Sequence, residues 1–315
     1  MIKKLLPDVR LVTEQAAIAS SKWIGKKNEY EADKAAVNAM RSALNKLDIT
    51  GTIVIGEGER DKAPLLFSGE KVGTSIGPKL DIAVDPLEGT TICAHGMRNS
   101  FSVLALSSSG NLLKSPDVYM DKIAVGPNMP EGVIDLDNSV LKNLSNIAKA
   151  KNLSISDLII MVLNRPRHEE LIAKIKEAGS QLKLINDGDI AAVIATGYGP
   201  HRIDAYMGIG GAPEGVLGAC ALSTFGGQIM GRLIFDNEEQ KSKAKQCNIS
   251  DFNKKYLMSD LVKGDVIFSL TAVTDGDLIS GVKTKNGQIL TESLVFFSKD
   301  KTINKVCSTH PENFL

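Results

Sequence analysis

Cysteine and histidine are scarce in this chain of 315 residues, four of each. Cys93, Cys220, Cys247 and Cys307 lie far apart, with no C-x-x-C pair. That argues against a disulfide framework or a zinc knuckle and favours a reducing compartment, the cytoplasm. His95, His168, His201 and His310 show no H-E-x-x-H spacing, so any metal is expected on oxygen donors. No apolar run nears the roughly 18 residues of a membrane span. Pro7, Asp8 and Arg10 also cut short the apolar stretch that a signal peptide would need after Lys3 and Lys4. An excess of either charge is missing too. Lys+Arg and Asp+Glu are both 37, which gives no reason to expect a nucleic acid or an anionic membrane as partner.

What is present is ordinary for a globular protein: 43% hydrophobic and 23% charged residues, enough for one large domain or two smaller ones. The pattern alternates. Leu11 to Ile24 and Asp33 to Leu47 read as amphipathic helices, the second with Val37, Met40, Leu44 and Leu47 on one face and Asp33 at its start. Strands are expected at residues 52–55, 82–84 and 102–106. Farther on come a strand at 158–163, a helix at 169–178 and a strand at 182–185. A short helix near 190–195 and a strand at 203–207 precede a helix that Pro213 opens. Later strands are expected at 229–235 and 266–273, with a hairpin at Asn286-Gly287 and a polar surface excursion over 237–255. Such alternation predicts a layered α/β fold. Turn residues at Pro127-Asn128-Met129-Pro130 place the expected boundary between regions 1–130 and 131–315. No internal repeat or low-complexity segment is visible.

Acidic residues gather where the expected elements end. Asp85 and Glu88 follow an apolar run in D-I-A-V-D-P-L-E-G-T-T, and Glu57, Glu59 and Asp61 follow another. Asp187 and Asp189 follow a third strand, and Glu214 opens a helix. A single acid at such a place is ordinarily a cap or a solvated loop residue. Several converging would cost about 4 kcal/mol per unscreened pair at 4 Å and an effective dielectric near 20, so protons or divalent cations would have to compensate them. Gly56-Glu57-Gly58 permits close backbone approach to an ion. The loop Gly208-Ile209-Gly210-Gly211-Ala212-Pro213-Glu214 can offer backbone N–H groups to a phosphate or serve as a tight turn. It is no dinucleotide fingerprint, because Pro213 stands where the third glycine belongs. Arg165-Pro166-Arg167 suits bidentate phosphate contact or a pair of surface salt bridges.

Together these residues resemble a family. D-P-L-E-G-T at 85–90 is similar to the D-P-x-D-G-T signature of the lithium-sensitive, metal-dependent phosphomonoesterases, with Glu88 in place of Asp. Five further blocks resemble the bacterial class II fructose-1,6-bisphosphatases: A-D-K-A-A-V-N-A-M-R at 32–41, I-V-I-G-E-G-E at 53–59, N-R-P-R-H at 164–168, N-D-G-D at 186–189 and M-G-I-G-G-A-P-E-G at 207–215. Lys34 departs from the small residue expected after Asp33.

The resemblance implies a layered α/β/α/β/α sugar-phosphatase sandwich, Mn²⁺ or Mg²⁺ at two divalent sites, and a homo-oligomer, a dimer or a tetramer. It implies Asp33 and Glu57 as ligands of one metal, and Asp85, Glu88 and Glu214 as ligands of the other. Substrate contacts would fall on Glu88, Gly89, Thr90, Tyr119, Arg165, Pro166, Arg167, Asp187, Gly188, Asp189 and Gly211. Thr90 would hold the attacking water, with Glu57, Glu59 or Asp61 as proton acceptor. The implied substrate is the small-molecule sugar bisphosphate fructose 1,6-bisphosphate, cleaved at its 1-phosphate in gluconeogenesis. Sedoheptulose 1,7-bisphosphate or an inositol phosphate are the alternatives within the same chemistry. A non-catalytic phosphosugar- or metal-sensing module is the alternative outside it.

Overall fold

The computed structural model of the chain describes residues 2–57 and 65–315. It divides into two compact units, Met1–Leu113 with Lys263–Leu315, and Lys114–Val262. The first unit opens with α1 (Leu6–Ser21) and α2 (Glu29–Leu44), which bury small residues such as Ala16, Ala17, Ala32 and Ala36. The Asn28 side chain caps α2 by accepting the Glu31 N–H at 3.1 Å. The helix therefore begins well before the expected start, and Asp33 sits one turn inside it. Asn28 supplies the acceptor that the first turn needs, so Asp33 is not required as a cap.

Next come β1 (Thr50–Ile55), β2 (Lys71–Val72), β3 (Lys79–Glu88), the short helix α3 (Thr90–Ala94) and β4 (Phe101–Ser108). β1 runs parallel to β3, and β3 antiparallel to β4.

The second unit runs through β5 (Tyr119–Val125), α4 (Val140–Lys151), β6 (Ile159–Leu163), α5 (Glu169–Glu177) and β7 (Gln181–Ile185). It continues with α6 (Asp189–Ala195), β8 (Ala205–Gly211), α7 (Ala212–Phe225) and β9 (Gln228–Ile234). It closes with α8 (Glu238–Gln246), β10 (Lys255–Leu257) and α9 (Met258–Leu261). Its sheet has the order β10-β9-β5-β8-β6-β7, with β6 parallel to both β7 and β8. The stretch expected to be a mere surface excursion holds α8, capped by Asn237.

The chain then returns to the first unit with β11 (Val266–Ala272), β12 (Lys283–Lys285), β13 (Gln288–Phe297) and β14 (Thr302–Pro311). β11 lies between β4 and β13, and β14 pairs with β13 along ten residue pairs. Asn286 and Gly287 join β12 to β13 with φ of 53° and 71°, both left-handed, as the tight hairpin requires.

The division differs from the expected boundary after Pro130. β5 is hydrogen-bonded to β8 on one side and β9 on the other, so it belongs to the second unit. The turn at Pro127–Pro130 marks only its exit. Each unit has its own apolar core. Val12, Met40, Leu44, Ile53, Ile82, Leu104 and Phe297 pack in the first, and Ile123, Leu144, Ile160, Val162 and Ile175 in the second. Each such side chain contributes about 1.5–3 kcal/mol by leaving water.

Candidate active site

In the first unit the carboxyl ends of parallel β1 and β3 share one edge, since Ile55 lies opposite Ala83. Glu57 follows β1, and its N–H donates to Leu66 O at 3.0 Å. Gly56 allows that approach: a Cβ there would lie 1.9 Å from Leu66 O. β3 is longer at both ends than the strand expected at 82–84, and it runs on through Pro86. Asp85 lies opposite Val103 and Glu88 opposite Phe101, so three steps along β3 match two along β4. The extra residue is a bulge, a place where proline is tolerated and side chains are re-aimed.

Within that bulge Asp85 Oδ1 accepts the Leu87 N–H at 3.1 Å. Glu88 is buried, and its carbonyl accepts the Ser100 hydroxyl at 3.0 Å. Gly89 takes φ of 76° and turns the chain into α3, whose first residue is Thr90. The Thr90 hydroxyl donates to Leu87 O at 3.1 Å, so its lone pairs are the part suited to a water's proton. Asp33 is half-buried on α2, which packs against β3.

In the second unit the parallel strands again set one edge. Arg165, Pro166 and Arg167 follow β6, Asp187, Gly188 and Asp189 follow β7, and Gly211 ends β8 ahead of Glu214. Tyr119 opens antiparallel β5 directly opposite Gly211, which puts it at the same edge. Ligands of α/β sheets sit at that edge. The Arg167 guanidinium stacks 4.9 Å above the Tyr119 ring and is anchored through Nε–H to Ile209 O at 3.0 Å. Asp187 Oδ1 accepts the Gly188 N–H at 3.0 Å, with Gly188 at φ of 96°.

His168, adjacent to this pair, is a scaffold. Its buried ring accepts the Ile209 N–H at Nε2, 2.7 Å, and lies 2.7 Å from Leu163 O through Nδ1. Those two partners require the proton on Nδ1.

Asp189, expected as a substrate contact, also has an ionic partner inside the unit. It is buried and paired with Lys122 Nζ at 2.6 Å, and Nζ also donates to Gly211 O at 2.8 Å. Sequence reasoning missed Lys122. The available signal was its parity: Met120, Lys122 and Ala124 share a buried face of β5, and a lysine on an apolar face needs a counter-ion. One residue away, burial raises the Asp121 pKa, and the Arg232 cation draws it partly back.

Among the described residues, no three acidic, histidine or cysteine side chains form a preassembled metal cluster. Glu59 and Asp61 fall outside the described residues, as does Gly58. The donor chemistry nonetheless suits a hard cation, because every candidate ligand is a carboxylate. The Glu214 carboxylate folds over Gly211 so closely that a Cβ there would lie 1.8 Å from Oε2.

Carboxylates at one sheet edge, and guanidiniums with glycine-entered helices at another, define the class: an α/β protein equipped for a hard cation and an anionic ligand. The chain belongs to the family described as bacterial fructose-1,6-bisphosphatase, glpX-encoded, whose model matches residues 3–310. It is 42% identical to the "D-fructose 1,6-bisphosphatase class 2/sedoheptulose 1,7-bisphosphatase" of Synechococcus sp. (strain JA-3-3Ab), over 98% of this chain and 96% of that one. It is likewise 42% identical to the "Fructose-1,6-bisphosphatase 1 class 2" of Escherichia coli (strain K12), with the same coverage of both chains. Among solved structures, an inositol monophosphatase from Anabaena (Nostoc) sp. PCC 7120 aligns with a TM-score of 0.33 and 12% identity, over 62% of this chain and 72% of that one.

Proposed function

We propose that the chain is a phosphoric monoester hydrolase that converts fructose 1,6-bisphosphate to fructose 6-phosphate and phosphate. The observation that carries this reading is the second unit's edge, where Tyr119, Arg165–Arg167, Asp187–Asp189 and Gly211 all gather by strand register. Family membership and the relatives' names supply the substrate. The proposed oxygen donors for Mg²⁺ or Mn²⁺ are Asp33, Glu57, Asp85 and Glu88 in the first unit and Glu214 in the second. When bound, two such cations supply a water made nucleophilic near neutral pH and charge stabilisation for the leaving alkoxide.

The chain's own groups do the rest. Thr90 Oγ accepts a hydrogen bond from the attacking water and aims it, because its own hydrogen is committed to Leu87 O. Glu57, Glu59 or Asp61 takes the proton released by that water. Arg165 and Arg167 hold the phosphate that is not cleaved. In Arg167 the nitrogen tied to Ile209 O is Nε, so a bidentate grip falls to the two terminal nitrogens. Asp187 and Gly188 contact sugar hydroxyls, and Gly89 and Gly211 let the backbone approach the substrate. Sedoheptulose 1,7-bisphosphate is a second substrate of the same site, since it too carries a phosphate at each end. The name of the Synechococcus relative includes both sugars. We further propose a cytoplasmic homo-oligomer, a dimer or a tetramer, acting in gluconeogenesis.

Phosphate release from fructose 1,6-bisphosphate, sedoheptulose 1,7-bisphosphate and inositol monophosphate, with Mn²⁺, Mg²⁺ or chelator, tests the reading. Metal-dependent release from the sugar bisphosphates is expected. No release from any substrate would indicate a sensing module, and release from inositol monophosphate alone would reassign the substrate.

A further inference from the structure

The second unit buries a cation that the reaction scheme above does not use. The Lys122 side chain has 0% exposure, in the middle of β5. Its ammonium reaches the start of α6 at Asp189 Oδ2, 2.6 Å, and the end of β8 at Gly211 O, 2.8 Å. Both acceptors belong to loops proposed to touch substrate. The surrounding backbone is shaped around this contact. A Cβ at Gly210 would lie 1.7 Å from Asp189 Oδ2 and 3.0 Å from Lys122 Nζ, and one at Gly215 would lie 3.1 Å from Lys122 Cδ. Two glycines therefore keep the channel open that the lysine fills.

We infer that Lys122 is a positioning residue for the substrate site, a buried clamp that fixes the Asp187–Asp189 loop against the Gly211–Glu214 turn. This rests on the phosphatase reading. A plain structural ion pair would need only Asp189; the second bond, to the carbonyl of Gly211, ties the pair to the turn that precedes Glu214. An ammonium has three donors and spends at least two of them across these loops. Its charge also sits at the end of β8, where α7 begins, adding a fixed positive centre beside the backbone N–H groups of that fourteen-residue helix. Sugar and anion recognition are thereby set by one side chain that does not itself reach the substrate.

Lys122→Arg and Lys122→Met test this. Arg keeps the charge but cannot place a single nitrogen at both acceptors with the same geometry. Met keeps the volume and removes the charge. Each variant is checked by circular dichroism and thermal melting. It is then assayed for KM and kcat with fructose 1,6-bisphosphate at saturating Mn²⁺, and for binding of fructose 6-phosphate by calorimetry without turnover. The expected result for folded Lys122→Arg is a KM raised about tenfold or more and product affinity weakened by a similar factor, with kcat changed less than KM. Lys122→Met is expected to show the larger binding loss wherever it folds. Wild-type KM and product affinity in either folded variant would overturn the proposal. So would failure of both variants to fold, which would make Lys122 a folding residue only. A wild-type protein that releases phosphate from no sugar bisphosphate would instead refute the phosphatase reading, while the fructose 6-phosphate titration would still report on the clamp.

Discussion

Gly211 is one of the tightly constrained glycines at the proposed site, because the Glu214 carboxylate occupies the space where a β-carbon would be. Gly211→Ala must push that carboxylate away. Since displacement of a reacting group by about 1 Å can cost 10²-fold in rate, kcat/KM is expected to fall by about that factor. Excess Mn²⁺ should recover part of it, and a metal titration of the rate checks both points. Thr90 and Arg167 should separate differently. Thr90→Ala is expected to lower kcat mainly, as it removes the group that aims the water, whereas Arg167→Ala is expected to raise KM more than it lowers kcat. Steady-state kinetics at saturating metal decide this, and near-wild-type turnover in Thr90→Ala would remove its assigned role. At this scale the sequence was informative about acids, arginines and glycines, because their placement beside apolar runs is visible in one dimension. It was silent on Lys122, whose partners lie 67 and 89 residues away. It was also silent on the pairing of His168 with the Ile209 N–H, which no spacing encodes.

Elements were legible where local chemistry decides them, and were missed where a partner does. α2 was expected from its apolar spacing, but its start was misplaced because Asn28 outcompetes Asp33 as the cap. Asn28→Ala is accordingly expected to cost about 1 kcal/mol of stability, and Asn28→Asp almost nothing, as read from chemical denaturation. The strand expected at 82–84 is carried by the bulge on to Glu88; only the register against β4 reveals this.

β14 gave no strand signal, being mostly exposed, and it is docked through polar contacts with α1. Ser308 Oγ–H donates to the buried Glu14 carboxylate at 2.6 Å, and His310 Nε2 lies 3.6 Å from Glu14 Oε2 and 3.2 Å from Thr291 Oγ1. Burial lowers the His310 pKa from its ordinary 6.5; Glu14 pulls it up and Arg10 down, and burial prevails. The unfolded chain therefore binds this proton more readily than the folded one. The associated stability is complete above the unfolded value of 6.5 and is lost as pH falls through the folded value. Urea unfolding at pH 7.5 and 5.5 should show a larger loss for wild type than for His310→Gln. Equal losses would mean that this histidine does not couple β14 to pH.

At the scale of the molecule, the alternation of apolar runs predicted an α/β chain, and the sheets bear this out, but the linear boundary at residue 130 did not survive the strand pairings. A boundary in sequence is a local turn, whereas a unit is defined by which strands share hydrogen bonds, and the first unit is discontinuous. Its sheet needs β11 between β4 and β13, so residues 263–315 cannot be dispensable. The second unit, by contrast, is a single stretch with both edges of its sheet, its helices and its own core inside Lys114–Val262. Two truncations exploit the difference. A fragment 114–262 is expected to fold alone, with a cooperative thermal transition and a circular dichroism spectrum of mixed helix and strand. A fragment 1–262 would leave β4 an unpaired edge with Phe101, Val103 and Ala105 facing no β11 partner, an aggregation-prone arrangement. That fragment should yield native-like signal only from its second unit and should precipitate more readily than the full chain. A fragment 131–315 that folded cooperatively, while 114–262 did not, would restore the boundary suggested by the turn residues and would place β5 outside the second unit's folding core.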